Sequence, residues 1–358
     1  MSTYTAGEQQ GFSLVELMVA MVIGLMLIGG MVTVFHGHRR SAELNSSLAT
    51  LQEYGRFALD GMVRDVRMAG FQGCTDASVA ATILADDPPT TDFVESAISA
   101  AVVGSASWDP GLPPGFTAPT STGVPVAGTH ALIVQFGNPE INAIKPMATA
   151  GHDIVVKGDA PRIATGDYAL VSNCQVADIF KVTAVSGKTI KHGAAGNSGS
   201  NLLSAPYGQS PTEDAMVTRF ESNIYYIGNT GRTDSSGNAV LSLYRQSLPY
   251  TNAPIEMVEG VTNLRIRLGF RDRTAGGAIE FVTPDDADTA DGRVEAVQIG
   301  LLLRSRERLS DQDDKRSFNL AGDTISAAAS ENAMDNTYAS DRHLRLAFNA
   351  SVSVRNRP

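Results

Sequence analysis

The chain has 358 residues, a formal net charge of −10, a pI of about 5.1 and 6% aromatic residues. That length allows one large domain or two smaller ones beside any membrane segment. The acidic balance excludes a broad electrostatic surface for nucleic acid, and no nucleic-acid partner is expected.

A polar leader, residues 1–11, precedes an apolar run that reaches Phe35 and contains one carboxylate, Glu16. Crossing a bilayer as a helix takes roughly 20 apolar residues, and a helix satisfies its own backbone hydrogen bonds there. An ionised side chain inside such a segment is costly, so it reads either as a terminal charge reaching the headgroups or as a functional residue with a partner. A secretory signal peptide is a poor fit, because the leader has no Lys or Arg and the apolar run is long. A plain signal anchor is the other simple reading.

The neighbours of Glu16 give it a context. Gly11-Phe12-Ser13-Leu14-Val15-Glu16-Leu17 resembles the processing site of type IV prepilins. The resemblance implies cleavage by a prepilin peptidase after Gly11 and N-methylation of the new N-terminus, Phe12. It also implies that Glu16 pairs with the N-terminal amine of a neighbouring subunit. Two charges in an apolar filament core are tolerable when they neutralise each other. Arg39 and Arg40 follow the apolar run, and charge bias alone would put that side in the cytoplasm. The resemblance puts it in the periplasm, and the motif is the more specific guide.

Beyond Phe35, His36, His38, Arg39 and Arg40 form a polar collar, and the helix is expected to continue to about residue 73. Leu44, Leu48, Leu51, Gly55, Ala58, Met62 and Val66 recur at spacings of three and four, which puts them on one face for packing against a sheet. Gly24, Gly29 and Gly30 in the apolar half allow either close helix approach or a point where the helix can stretch. Residues 75–128, punctuated by Pro, read as an irregular excursion with one short strand.

Strands are expected at 131–136, 153–157, 168–172, 178–185, 216–227, 239–245, 258–270, 294–304 and 344–354. Alternation such as Leu264-Arg265-Ile266-Arg267-Leu268 predicts strands with one buried face. Residues 307–340 read as a second irregular insert with a short helix. The fold class is therefore α+β and type IV pilin-like: a long N-terminal helix, membrane-spanning in its first half, on an antiparallel sheet with irregular inserts. The segments are 1–11 leader, 12–35 membrane or pilus-core helix, 36–73 amphipathic continuation and 74–358 β-rich periplasmic domain.

Within the prepilin class the chain resembles PilW-type minor pilins. The resemblance rests on Arg64-Asp65-Val66-Arg67-Met68-Ala69-Gly70-Phe71-Gln72-Gly73-Cys74 and Gly166-Asp167-Tyr168-Ala169-Leu170-Val171-Ser172-Asn173-Cys174. Met257-Val258-Glu259-Gly260-Val261 and Val352-Ser353-Val354-Arg355-Asn356 also carry it. It implies a low-abundance subunit that primes assembly of a type IV pilus near its tip. The partners implied are other minor pilins, the major pilin, the prepilin peptidase, the inner-membrane assembly platform and a tip-associated adhesin. The location implied is the inner membrane with the C-terminal domain in the periplasm, then the pilus. The two cysteines, Cys74 and Cys174, are either a disulfide or two buried thiols; export to an oxidising compartment favours the disulfide.

Signals for catalysis are weak. Six histidines form neither an HExxH pair nor a Cys/His zinc array, and no phosphate-cradling loop or dinucleotide fingerprint is present. Gly196-Asn197-Ser198-Gly199-Ser200 misses nucleophile-elbow spacing and reads as a polar loop. Asp286, Asp288 and Asp291 are the one candidate metal loop, but the EF-hand pattern fails at Ala290, so a solvated turn is the plainer reading. No cofactor and no enzymatic activity are expected. The rival readings are a J-type pseudopilin of type II secretion and a signal-anchored periplasmic enzyme or binding module.

Overall fold

The computed structural model describes residues 11, 13–75, 79–88, 90, 92–93, 96–105, 107–111, 114–198, 202–209, 214–250, 253–271, 277–289 and 293–356. The chain divides into two compact units, Met1–Thr50 and Leu51–Pro358. One helix, α1 (Leu14–Met68), runs through the division. In the first unit its apolar side chains have no protein cover: Leu14, Met18, Leu25 and Phe35 are all more than half exposed. Leu44 and Leu48 are only half-buried, and the buried stripe starts at Leu51.

In the second unit the stripe is the floor of the core. Leu51, Ala58, Met62 and Val66 join Leu132, Phe220, Leu243, Leu264, Ile299 and Val352 in one apolar cluster. Gly55 lets the helix approach the sheet, since a methyl group there would overlap the ring of Phe348. The helix ends at Met68, short of the expected boundary at 73. Gly70 adopts φ +73°, the left-handed stop that glycine permits, and the Asn356 side chain donates towards the carbonyls of Met68 (3.2 Å) and Ala69 (3.3 Å).

The strands that build the domain are β1 (Ile98–Val103), β2 (His130–Gly137), β3 (Tyr168–Asn173), β4 (Val176–Lys181), β5 (Ala215–Thr233), β6 (Ala239–Ser247) and β7 (Ile255–Glu259). There follow β8 (Val261–Arg271), β9 (Ile279–Val282), β10 (Val294–Arg308), β11 (Phe318–Leu320), β12 (Asp323–Ala328), β13 (Thr337–Ala339) and β14 (His343–Ser353). The 19-residue β5 is the spine: its first part pairs with β3 and its second with β2 and β6, all antiparallel. A second antiparallel sheet runs β9-β8-β10-β14.

Several elements depart from the sequence pattern. The stretch 75–128 holds more than one short strand: β1, with β-branched Ile98, Val102 and Val103, pairs with β2 and is largely buried, and shorter strands lie at Thr82–Ile83, Trp108–Asp109 and Val124–Pro125. The expected strand 178–185 is divided between β4 and a short Ala184–Ser186 strand, and the expected strand 258–270 is broken at Gly260 between β7 and β8. The stretch 307–340 is not irregular: β11, β12 and β13 form a small sheet with a 3₁₀ turn at Ala333–Asp335.

That small sheet explains the Leu264–Leu268 alternation. Leu264, Ile266 and Leu268 face the main core, while Arg265 and Arg267 face the small sheet instead of solvent. Arg265 is 5% exposed. It donates to His130 Nε2 (3.0 Å) and to the Ala333 carbonyl (2.5 Å), and Arg267 pairs with Asp323 at 2.7 Å. His130 Nδ1 lies 3.1 Å from the Ile266 carbonyl and 3.0 Å from the Ile266 N–H. Burial, reinforced by the Arg265 charge, lowers the His130 pKa to about 4, so the ring is a neutral bridge.

Asp65 is the one buried charge on the helix stripe, and its carboxylate accepts from Asn223 Nδ2 (2.7 Å) and Tyr225 OH (2.6 Å) on β5. Burial raises its pKa, against the two hydrogen bonds and the Arg245 charge. Asp65→Ala strands two buried donors and should cost about 2–4 kcal/mol, with a smaller loss for Asp65→Asn. Urea unfolding of the detergent-solubilised chain checks this, and equal stability of the wild type and Asp65→Ala contradicts it.

Candidate functional site

The functional candidates cluster at the two ends of α1. At the N-terminal end Ser13 sits just ahead of the first helical residue. Its Oγ accepts from Val15 N (3.2 Å), and its own backbone N–H donates to Glu16 Oε2 (3.1 Å). This is a variant of the capping box: Glu16 satisfies the amide of Ser13, while the Ser13 hydroxyl takes the amide of Val15 instead of that of Glu16. The Ser-x-x-Glu spacing was readable in the sequence as a cap, yet the membrane charge drew attention to Glu16 alone.

The geometry gives the carboxylate two uses. Oε2 terminates the helix, and the carboxylate keeps capacity to accept from a cation, since it has about four lone-pair sites. A cap makes the charge less costly in an apolar surround, because a charge-assisted bond offsets part of the lost hydration. Gly11 is exposed, whereas Phe12, the expected new N-terminus, lies outside the described residues. Behind the cap the helix is long and apolar enough to cross a membrane, and none of its apolar window is buried. Around Gly24, Gly29 and Gly30 there is open space for a closely approaching neighbour.

At the other end the structure joins Cys74 to Cys174 with Cα atoms 4.7 Å apart. The bond ties the residue that leaves the helix turn to the end of β3. Gly73 is required beside it, because a methyl group there would lie 2.6 Å from both Met216 Sδ and Ser172 Oγ. Asp65, Asn356 and the disulfide therefore fix the C-terminal half of α1 to the domain. No sequence pattern marks the Asn356 cap, since its partner carbonyls lie almost the whole domain away in the chain.

The remaining candidates do not converge. Asp286 is in a 3₁₀ segment, Pro284–Thr289, and accepts from Thr283 Oγ1 at 3.0 Å. The side chain of Asp288 and all of Asp291 lie outside the described residues. Among the described residues no group of three His, Cys, Asp or Glu side chains is placed to hold a metal. Asn197 is a loop clip, accepting from Lys181 N and donating to the carbonyls of Lys181 and Gly193. A cleft of about 300 Å³ is lined by Asn138, Glu140, Asn142, Arg162, Ile163 and Arg219. Its charges are paired: Arg162 with Glu140 at 3.4 Å, and Arg219 with Glu221 at 2.6 Å.

Comparison with known families adds two matches. Residues 8–32 match the prokaryotic N-terminal methylation motif. Residues 224–356 match type IV pilus-assembly protein W, PilW. Over these two stretches the chain is similar to a PilW-family pilin with a prepilin motif. The second match runs from the middle of β5 to the Asn356 cap, so it includes several, though not all, of the strands that receive the helix. The Arg64–Cys74 and Gly166–Cys174 stretches lie outside it. No curated protein and no solved structure matches the chain. A type IV pilus-related pilin interacts with other pilins and with the pilus machinery, and the apolar helix behind the methylation motif anchors the C-terminal domain at a membrane.

Peptides of the unreduced protein should contain Cys74 linked to Cys174. The chain-entropy model assigns such a loop of about 100 residues some 4.7 kcal/mol, so reduction should lower the unfolding midpoint sharply. Two free thiols in protein recovered from cells, or no change on reduction, would contradict the assignment.

Proposed function

We propose that this pilin is a minor subunit that helps prime assembly of a type IV pilus. The single observation behind the reading is the placement of a capped Glu16, the fifth residue after the Gly11–Phe12 junction, at the head of an apolar helix without cover. In this reading a prepilin peptidase cuts after Gly11, and Phe12 becomes the methylated N-terminus. The precursor waits in the inner membrane with its β domain in the periplasm. The helix then exchanges lipid for neighbouring helices, and the carboxylate of Glu16 meets the amine of an adjacent subunit.

The physical support is a balance of costs. A lone carboxylate in hydrocarbon is expensive, while a carboxylate facing an ammonium in a filament core is neutral as a pair. Pairing therefore favours the assembled state over the solitary one and sets register between subunits. The β domain carries no chemistry in this account and selects partners: other minor pilins, the major pilin, the inner-membrane assembly platform and a tip-associated adhesin. It acts near the tip, with no enzymatic activity and no nucleic-acid partner.

Glu16→Ala should leave cleavage intact, because the cut lies upstream, but should reduce incorporation into sheared filaments by about tenfold or more. A loss of that size corresponds to about 1.4 kcal/mol or more. Glu16→Gln should retain the cap and still fail to incorporate. Normal filament content of either variant would sink the pairing role.

A further inference from the structure

The turn after β2 forms the 300 Å³ cleft together with β5 and the loop ahead of β3, and its lining is Asn138, Glu140, Asn142, Arg162, Ile163 and Arg219. The cleft lies at the end of the domain where α1 stops: Gly137, beside Asn138, donates its N–H to the Phe71 carbonyl at 2.7 Å. The turn is pinned to β5 from both sides. Asn138 N donates to the Arg219 carbonyl (2.8 Å), and Thr218 Oγ1 donates to the Asn138 carbonyl. Asn138 Oδ1 accepts from Glu140 N (2.8 Å) and closes the turn on itself. The cleft is thus formed in the absence of a ligand, as binding sites usually are.

Its charge runs against that of the chain. The net charge is −10 overall, yet the lining holds two guanidiniums and one carboxylate, Glu140. Both guanidiniums are oriented and only partly used. Asn138 Nδ2 donates to Glu221, and Glu221 Oε1 accepts from Nε (3.2 Å) and Nη2 (2.6 Å) of Arg219. Nη1 of Arg219 has no partner among the described residues. Arg162 is 85% exposed and meets Glu140 through Nε at 3.4 Å, which leaves its two Nη groups without a partner among the described residues. A guanidinium edge of this kind is a fork for a carboxylate.

The rest of the lining asks for hydroxyls. Asn142 donates through Nδ2 to the carbonyls of Glu140 (3.4 Å) and Val217 (3.5 Å), so Oδ1 is left to accept. Glu140 has acceptor capacity beyond its contact with Arg162. Ile163, 6% exposed, is the one apolar side chain in the lining. Donors for one carboxylate, acceptors for hydroxyls and one apolar patch for a C–H face match a sugar acid. The volume, at the lower end for ligand pockets, suits a single ring. A peptide C-terminus is the poorer match, since such carboxylates are held by nests of backbone N–H groups, whereas side chains line this cleft.

We propose that this cleft binds the carboxylate-bearing ring of an acidic saccharide, a uronic or sialic acid residue. Arg162 and Arg219 take the carboxylate, Asn142 Oδ1 and Glu140 accept from ring hydroxyls, and Ile163 takes the C–H face. Such binding goes beyond the assembly reading and does not rest on it.

The full chain in detergent micelles is titrated with glucuronate, galacturonate and N-acetylneuraminate, with glucose and galactose as neutral controls, and binding is followed by calorimetry and saturation-transfer NMR. At least one of the acids should bind saturably, and the neutral sugars about tenfold or more weakly by comparison, because they lack the charge-assisted bonds. Arg162→Ala should weaken binding of that acid by about tenfold with no change in unfolding midpoint, since the side chain is on the surface. Arg219→Lys, which keeps the charge and loses the fork, should weaken it too. The proposal is overturned by no saturable binding of any of the three acids, by equal binding of the neutral sugars, or by full affinity in Arg162→Ala. A Gly-Gly-Ala tripeptide that binds where the sugar acids do not also overturns it. Arg162→Ala should enter sheared filaments normally, so this result and the Glu16 result are read independently.

Discussion

One helix in two environments is the constraint on which the structure depends. The first half of α1 is apolar and has no protein cover, while the second half is the floor of the domain core. A helix used this way cannot be held by its first half, since lipid and neighbouring helices are exchangeable. The domain must therefore grip the second half firmly, and it does so with three unlike devices: the buried Asp65 bonded to β5, the Asn356 cap on the last carbonyls, and the disulfide just past the turn. Burial supplies most of the attraction, but these polar ties fix the register, because each is satisfied at one position of the helix along its axis.

The carboxylate at the other end answers the same constraint. A charge at the head of an apolar helix would be a pure cost if it had no partner. Within the chain it caps the helix by accepting from the Ser13 amide, and between chains it can receive an amine. The cap holds the side chain close to the helix end, so the second interaction costs less ordering entropy when a neighbour arrives.

Much of this was legible in the sequence. The 3–4 stripe from Leu51 to Val66 gave the packed face of the helix, and period-two alternation located most long strands, because both patterns report burial directly. What was not legible depended on contacts distant in the chain. Arg265 looked like a solvent-facing residue because alternation does not reveal that a second sheet, built from the apparently irregular stretch 307–340, covers that face. β1, short and set within the Pro-punctuated stretch 75–128, was obscured by its surroundings. Nothing in the sequence marked Asp65 as a buried tie, since its two donors come from β5, some 160 residues away. At the site, Gly11, Phe12 and Glu16 stood out through their motif, while Ser13 did not, because a cap is a local signal that a membrane charge overshadows.

The central claim is that the chain is cut at the head of α1 so that Phe12 begins a subunit held by that helix. The direct test is the N-terminal mass of the mature protein from cells with and without prepilin peptidase. The account predicts a peptide that begins with methylated Phe12 and disappears when the peptidase is absent. A protein that still begins at Met1, or that is cut beyond the apolar run, would contradict it.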